Sequence, residues 1–415
     1  MGLSHSQGHP MIESVSLAVG SEPWTFALPV GKILPLTRGP IARGSTAPAD
    51  LLAAALESPI GLGAPLQRAV TPDDKVVVVV DEGIPQLTEL LIPLLQHLVA
   101  ARIEPANFAL LVPAASLQQP WLEELPDELG DVQLEVHAPE NREKLAYLAT
   151  TKAERRVYLN RKIVEADLLV VLSRRGFDPK LGYSGAGAFL FPQFSDAETI
   201  AGYPKEFETA KRPEEPNPLR AETKEILKLL GAPFLVQVIE CQGDTVAEVL
   251  VGLPASSSDG IASVKKHWLG KIPHKADLVV AAVSGSSGRL TFRNLATAAA
   301  TARRALQPGG RLVLLTAAAP PLDDSGDLLL KVDEPATALK RIALAKPDDA
   351  MPGTFWAFAA KKIHLYVASG WPDDLVEELF ATPIHTPAEV QRLIDAAESV
   401  LFIPDAHKTF VEVGA

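Results

Sequence analysis

The sequence predicts an α/β fold of two domains, each with a largely parallel sheet and flanking helices. Three observations carry this reading. Residues 75–81 read KVVVVVD, and five consecutive valines leave no polar face, as suits a strand buried on both sides of a parallel sheet. Short apolar runs alternate along the chain with segments of helical period, the rhythm of βαβ units. The chain has 415 residues, more than one hydrophobic core usually serves.

Taken in order, residues 1–50 read as short strands and turns, with 24–28 (WTFAL) as a weakly alternating edge strand. Residues 49–57 are rich in alanine and leucine and predict a helix, stopped by Ser58-Pro59-Ile60-Gly61. The valine strand runs into Asp81-Glu82-Gly83-Ile84-Pro85. In doubly wound sheets, ligands bind outside such carboxyl ends. A helix is expected over 87–101, with leucines on one face. A strand follows over 108–112, then the loop 113–118 and a helix over 121–129. Residues 168–172 and 234–239 read as buried strands. Between them, residues 206–222 are charged and proline-rich and read as a surface loop of lid type. Residues 253–260, LPASSSDG, read as a turn leading toward a domain boundary. Beyond it come strands over 277–283, 311–315, 365–368 and 400–403, with helices over 295–306 and 387–399. The expected domains are 1–270 and 271–400, with a tail, 401–415, returning to the first. No internal repeat or heptad array is found.

Composition narrows the function classes. A formal net charge of −12 argues against a general nucleic-acid binder, which needs a basic footprint, and against docking on anionic membranes. No apolar run approaches the ~20 residues of a membrane span. The N-terminus lacks a basic-then-apolar signal pattern, and its Met-Gly start touches a myristoylation pattern only formally. The single cysteine, Cys241, permits no internal disulfide and fits a reducing, cytoplasmic compartment. At the end of an apolar strand it reads as packing rather than chemistry. Among the nine histidines, His5 and His9 lie in a tail, His267 and His274 are seven apart, and the rest are isolated. That offers no convergent metal site.

The stretch 165–205 is the most informative. Its strand ends in Arg174 and Arg175 and is followed by Gly182-Tyr183-Ser184-Gly185-Ala186-Gly187. Glycines let a backbone approach an anion and present its N–H groups, and arginine suits a phosphate or carboxylate. The same turn is also simply how an α/β domain rounds a corner. Arg174, Arg175, Lys180, Tyr183, Tyr203, Lys205 and Arg293 are the polar residues that could line one cleft.

This stretch resembles the nickel-pincer lactate racemase family. Ala166-Asp167-Leu168, Gly182-Tyr183-Ser184-Gly185, Pro192 and Glu198-Thr199-Ile200 stand at the intervals of that family's anchors. Asp81 and Pro85 match its Asp-x-x-Arg-Pro loop, Ser58-Pro59-Ile60-Gly61 its Asn-Pro-Ile-Gly, and Ile403-Pro404-Asp405 its late motif. The resemblance covers nearly the whole chain, and it implies a two-domain fold with a ligand cleft between the domains.

The departures fall at the chemical positions. Asp178 stands where the family has its first histidine, Ala188 where it has the cofactor-tethering lysine, and Pro204 where it has the nickel-binding histidine. Ile84 replaces the loop arginine. Ala115, Leu117 and Gln118 replace the Gly-x-His-Arg loop that supplies a catalytic histidine. The Gly-Gly-Tyr-Pro loop is Ser284-Gly285-Ser286-Ser287, and the functional lysine after it falls near Thr297. Racemising a 2-hydroxy acid needs a hydride acceptor, a base near the working pH and a cation for the carboxylate, and no assigned role keeps its residue.

The expectation is therefore a divergent homologue without the usual racemase chemistry. It would bind a small anion or nucleotide through Asp81, Arg174, Arg175, Ser184 and Gly185, with Arg293 from the second domain. No cofactor is expected in the usual covalent form. An active racemase or epimerase would instead hold the nickel-pincer nucleotide non-covalently, with Asp178 or Tyr203 in acid–base work. The third reading is a structural or regulatory partner protein with a plugged cleft. No nucleic-acid or membrane partner is expected, and the sequence leaves the oligomeric state open.

Overall fold

The computed structural model describes residues 12–39, 46–68, 70–114, 119–202, 213–347 and 349–414. The chain divides into two units, one of residues 40–268 and one that joins residues 1–39 to 269–415.

The first described strands belong to the second of these units. β1 (Ile12–Val19) and β2 (Glu22–Pro29) form an antiparallel hairpin that turns at Gly20, φ +63°, where a side chain would be strained. Their inward residues Leu17, Phe26 and Leu28 share a core with Leu278, Val280, Val313 and Ile394.

The unit of residues 40–268 starts with α1 (Pro48–Glu57). Then come β3 (Val76–Val80), α2 (Leu87–Ala100), β4 (Phe108–Val112) and β5 (Gln133–Val136). A hairpin of β6 (Leu145–Thr150) and β7 (Arg156–Asn160) precedes α3 (Arg161–Glu165) and β8 (Leu168–Arg174). Two very short strands, β9 (Phe177–Asp178) and β10 (Gly182–Tyr183), lead into α4 (Ala186–Leu190) and α5 (Ala197–Gly202). The unit closes with α6 (Pro218–Leu229), β11 (Phe234–Glu240), β12 (Val246–Gly252) and α7 (Ser257–Trp268).

Its main sheet has the order β12-β11-β8-β3-β4-β5. All pairs are parallel except β11 with β12. The five valines of β3 are all buried. Val76, Val78 and Val80 face one apolar cluster with the leucines of α2. Val77 and Val79 face the other, with Ala186, Leu190 and Ile226. Continuous burial is what a strand between two helical layers requires. From β3 the chain adds β4 and β5 on one side and β8 and β11 on the other, so the strand order reverses between β3 and β8.

In the second unit, β13 (Leu269–Ile272) precedes β14 (Ala276–Ala282), α8 (Phe292–Ala305) and β15 (Leu306–Leu315). α9 (Asp324–Asp327), α10 (Pro335–Ala345) and α11 (Met351–Ala360) lead to β16 (His364–Ala368). α12 (Asp373–Glu378), β17 (Thr382–Pro383), α13 (Pro387–Asp395), β18 (Val400–Ile403) and β19 (Phe410–Val413) complete it. The sheet β17-β16-β15-β14-β18 is parallel throughout. Among the described residues no helix is long and apolar enough to cross a membrane.

Four expectations meet a different structure. Residues 120–129 form two short 3-10 turns rather than one helix, because Pro126 bars the helical conformation of the residue before it. Residues 218–222 open α6, with Asn217 as N-cap and Pro218 at the first helical position, a start signal inside the charged stretch. Residues 257–260 begin α7, and the chain passes to the other unit only after Trp268. The described N-terminal strands and the tail both join the second unit. Buried apolar contacts hold the former, and parallel pairing of β19 with β13 holds the latter.

Candidate functional site

The point where the strand order reverses carries the first group. Asp81 follows β3 and Arg174 ends β8, and the two strands pair in register through Val80 and Leu172. Asp81 N–H bonds Leu172 O at 3.0 Å. The Asp81 carboxylate, 8% exposed, accepts from Arg174 Nε at 3.0 Å and Arg174 N at 3.2 Å on Oδ2. Gly83 N donates to Oδ1 at 3.0 Å. The negative charge of Asp81 raises the Arg174 pKa further, against the opposing effect of burial. A Cβ on Gly83 would lie 2.9 Å from Arg174 Cζ and would push the guanidinium aside.

The Arg174 side chain is nonetheless 41% exposed. Among the described residues, neither of its Nη groups makes a hydrogen bond. A guanidinium anchored through Nε, with its two outer nitrogens uncommitted, is a fork preset for a planar or tetrahedral oxyanion. Ile84, where the resembling family has an arginine, is 2% exposed and lies in the apolar cluster of α2.

The second group surrounds the glycine turn. β9 and β10 pair through Gly182 with Asp178 and Tyr183 with Phe177, and the two aromatic rings stack at 5.3 Å. Asp178 Oδ1 accepts from Lys180 N at 2.8 Å and Leu181 N at 2.6 Å. This occupies one carboxylate oxygen in closing the local turn. Lys180 is buried, which lowers its pKa, while Asp178 opposes the shift.

Arg175 points away from Arg174, as successive residues at a strand end do. Its Nη1 donates to Ser184 O and its Nη2 to Ser257 O, both at 2.8 Å. Among the described residues, its Nε is buried without a partner, as is Gln237 Oε1. Burial lowers the guanidinium pKa to about 10, with Tyr183 opposing. Gly185, φ +148°, adopts a conformation closed to most side chains, and a Cβ there would collide with Arg175 Nη1.

The structure thus gathers the expected residues into two contacting sets, Asp81 with Arg174, and Arg175 with Ser184 and Gly185. Arg293 stands in the other unit, 47% exposed and ion-paired with Asp349. Tyr203, Lys205, Pro204 and the loop with Ala115, Leu117 and Gln118 lie outside the described residues. Gly83, Ser257 and Gln237 were not singled out from sequence. The one readable signal was Gln237, a polar residue within the apolar run FLVQVIE. A cavity of about 220 Å³ lies elsewhere, bordered by Pro48, Gln86 and Thr245, and its only charged lining residue is Glu89, the wrong sign for an anion.

The residues present do not supply the nickel-pincer nucleotide with its usual attachment. Ala188, on α4, has no amine for a covalent link. Among the described residues no three His, Cys, Asp or Glu side chains converge as a metal site.

Comparison with known proteins bears on the fold. Residues 19–213 match the model of the lactate racemase N-terminal domain. The lactate racemase of Thermoanaerobacterium thermosaccharolyticum is 23% identical over 256 residues, which span 58% of this chain and 59% of that relative. The apoprotein structure of lactate racemase from the same organism superposes with a TM-score of 0.79 at 18% identity, covering 96% of this chain and all of that one. A structural-genomics protein from Thermotoga maritima follows with a TM-score of 0.62 at 13% identity, covering 90% of this chain and all of its own. Residues 19–213 thus match the lactate racemase N-terminal domain, and nearly the whole chain shares the fold of the lactate racemase apoprotein.

Proposed function

We propose that this protein is a divergent lactate racemase homologue that binds a small anion or a nucleotide phosphate at the reversal point of its first sheet, without the usual racemase chemistry. One observation carries the reading: Arg174 is anchored by Asp81 through Nε while, among the described residues, both outer nitrogens stay uncommitted. Charge-assisted bonds from such a fork are the strong ones. The Ser184–Gly185 turn that follows is held by Arg175. The loss of chemistry is read from the sequence. Ile84 cannot hold a carboxylate and Ala188 cannot tether a cofactor, and one oxygen of Asp178 is engaged by backbone amides.

Calorimetric titration with inorganic phosphate and with AMP tests the binding half. Both are expected to bind, and Arg174→Gln is expected to weaken them at least about tenfold. No binding by the wild type, or equal affinity in the variant, would refute it. Incubation with single enantiomers of lactate, followed by chiral chromatography, tests the other half. No interconversion is expected, and its appearance would overturn the claim of lost chemistry.

A further inference from the structure

We infer that α7 is a strap that sets the shape of the glycine turn, with Arg175 and Glu214 as its two positioning residues. The functional importance of this strap rests on the turn belonging to the anion site proposed above.

Two bridges join turn and helix. In the first, one guanidinium holds Ser184 O of the turn and Ser257 O, at the first residue of α7. The rigid fork of an arginine fixes the spacing of these carbonyls in a way a flexible ammonium would not. In the second, Tyr183 Oη donates to Glu214 Oε1 at 2.8 Å, and Lys265 of α7 pairs with the same oxygen. Adjacent turn residues are thus tied to Ser257 and Lys265, roughly 12 Å apart along the helix axis.

The guanidinium fits between two glycines. A Cβ on Gly185 would collide with its Nη1, and a Cβ on Gly260 of α7 would lie 3.2 Å from its Nε. Because both Nη groups are taken by carbonyls, Arg175 acts on the turn rather than on a ligand directly.

The far end of the strap is fixed to the sheet. Glu248 of β12 accepts from His267 Nε2 at 2.8 Å, Lys266 Nζ at 3.0 Å and Ser263 Oγ. Trp268 Nε1 donates to Glu240 O at 2.9 Å. His267 and Trp268 are each only 2% exposed, and the chain leaves the unit directly after them. The turn is therefore linked, through one helix, to the place where the chain passes from one unit to the other.

Hydrogen–deuterium exchange on the full chain without ligand tests the strap. Glu214 and Lys265 have partly exposed side chains, so Glu214→Gln and Lys265→Met are compatible with the fold. Each is expected to speed exchange of amides 183–190 about fivefold, the scale of one partly exposed ion pair, with α2 unchanged. The double variant is expected to be no looser than either single one, as a shared bridge requires. Unchanged exchange in the turn, equal loosening of α2, or additive loosening in the double variant would overturn the strap. Phosphate affinity is expected to fall about threefold in the same variants. Wild-type protein that fails to bind phosphate while the exchange pattern holds would overturn the anion site alone and leave the strap standing.

Discussion

Replacing Gly185 with alanine tests the core of the site. Its φ of +148° and ψ of −173° lie in a region essentially restricted to glycine, and holding another residue there costs on the order of 1–3 kcal/mol. The new Cβ would also overlap Arg175 Nη1, so the guanidinium must leave its place. That breaks the bonds to Ser184 O and Ser257 O, each worth about 1.5–3 kcal/mol for a charged donor. Partial relaxation makes the sum less than additive, and we expect a loss of about 3–6 kcal/mol. For a unit of roughly 230 residues this lowers the melting temperature by about 10–20 °C. Calorimetry of the full chain reads the shift, and the same change in an Arg175→Met background separates the two causes. There, only the backbone term of about 1–3 kcal/mol remains. A drop below about 3 °C would refute the reasoning, and an equal penalty in both backgrounds would show that Arg175 is not the residue displaced.

Two further outcomes follow from the same contacts. Burial alone would raise the Glu248 pKa, but hydrogen bonds from Ser263, His267 and Lys266 outweigh it and lower it from 4.5 to about 2. A carboxylate with a lowered folded-state pKa stabilises fully above its unfolded value, and the contribution disappears as pH falls through the folded one. Glu248→Gln should therefore cost about 1–3 kcal/mol at pH 7 and almost nothing near pH 2. Urea midpoints across that range check this, and a difference independent of pH would contradict it. Ile84→Arg, which restores the arginine of the resembling family's loop, should destabilise by about 3 kcal/mol or more, since it places a charge among the leucines of α2. It should also bring no gain in phosphate or lactate affinity by calorimetry, and a stable variant with tighter binding would refute this account of the loop.

The strands were the most legible part of the sequence. The valine run became β3 because burial on both faces demands an unbroken apolar run, and the runs at 108–112 and 234–239 followed the same logic. The hairpin of β6 and β7 escaped notice because one face meets solvent, with Tyr147 and Arg156 exposed. α6 was hidden behind a charged stretch, although Asn217-Pro218 carried its start signal. α7 was masked by the serines and glycine that open it, residues that serve turns and helix starts equally well.

The candidate residues were legible as a set but their arrangement was not. The sequence by itself determined which chemistry is available. Alanine, isoleucine and proline stand at positions 188, 84 and 204, where the resembling family has lysine, arginine and histidine. It also determined that Asp81 and Arg174 stand at the ends of apolar strands. Only the tertiary structure decided that they meet across 93 positions of sequence, because the pairing of β3 with β8 sets their spacing. It also decided that Arg174 and Arg175, neighbours in the chain, take different partners. The alternation of side chains at the end of β8 sends one guanidinium to Asp81 and the other between two glycines, where backbone carbonyls occupy it.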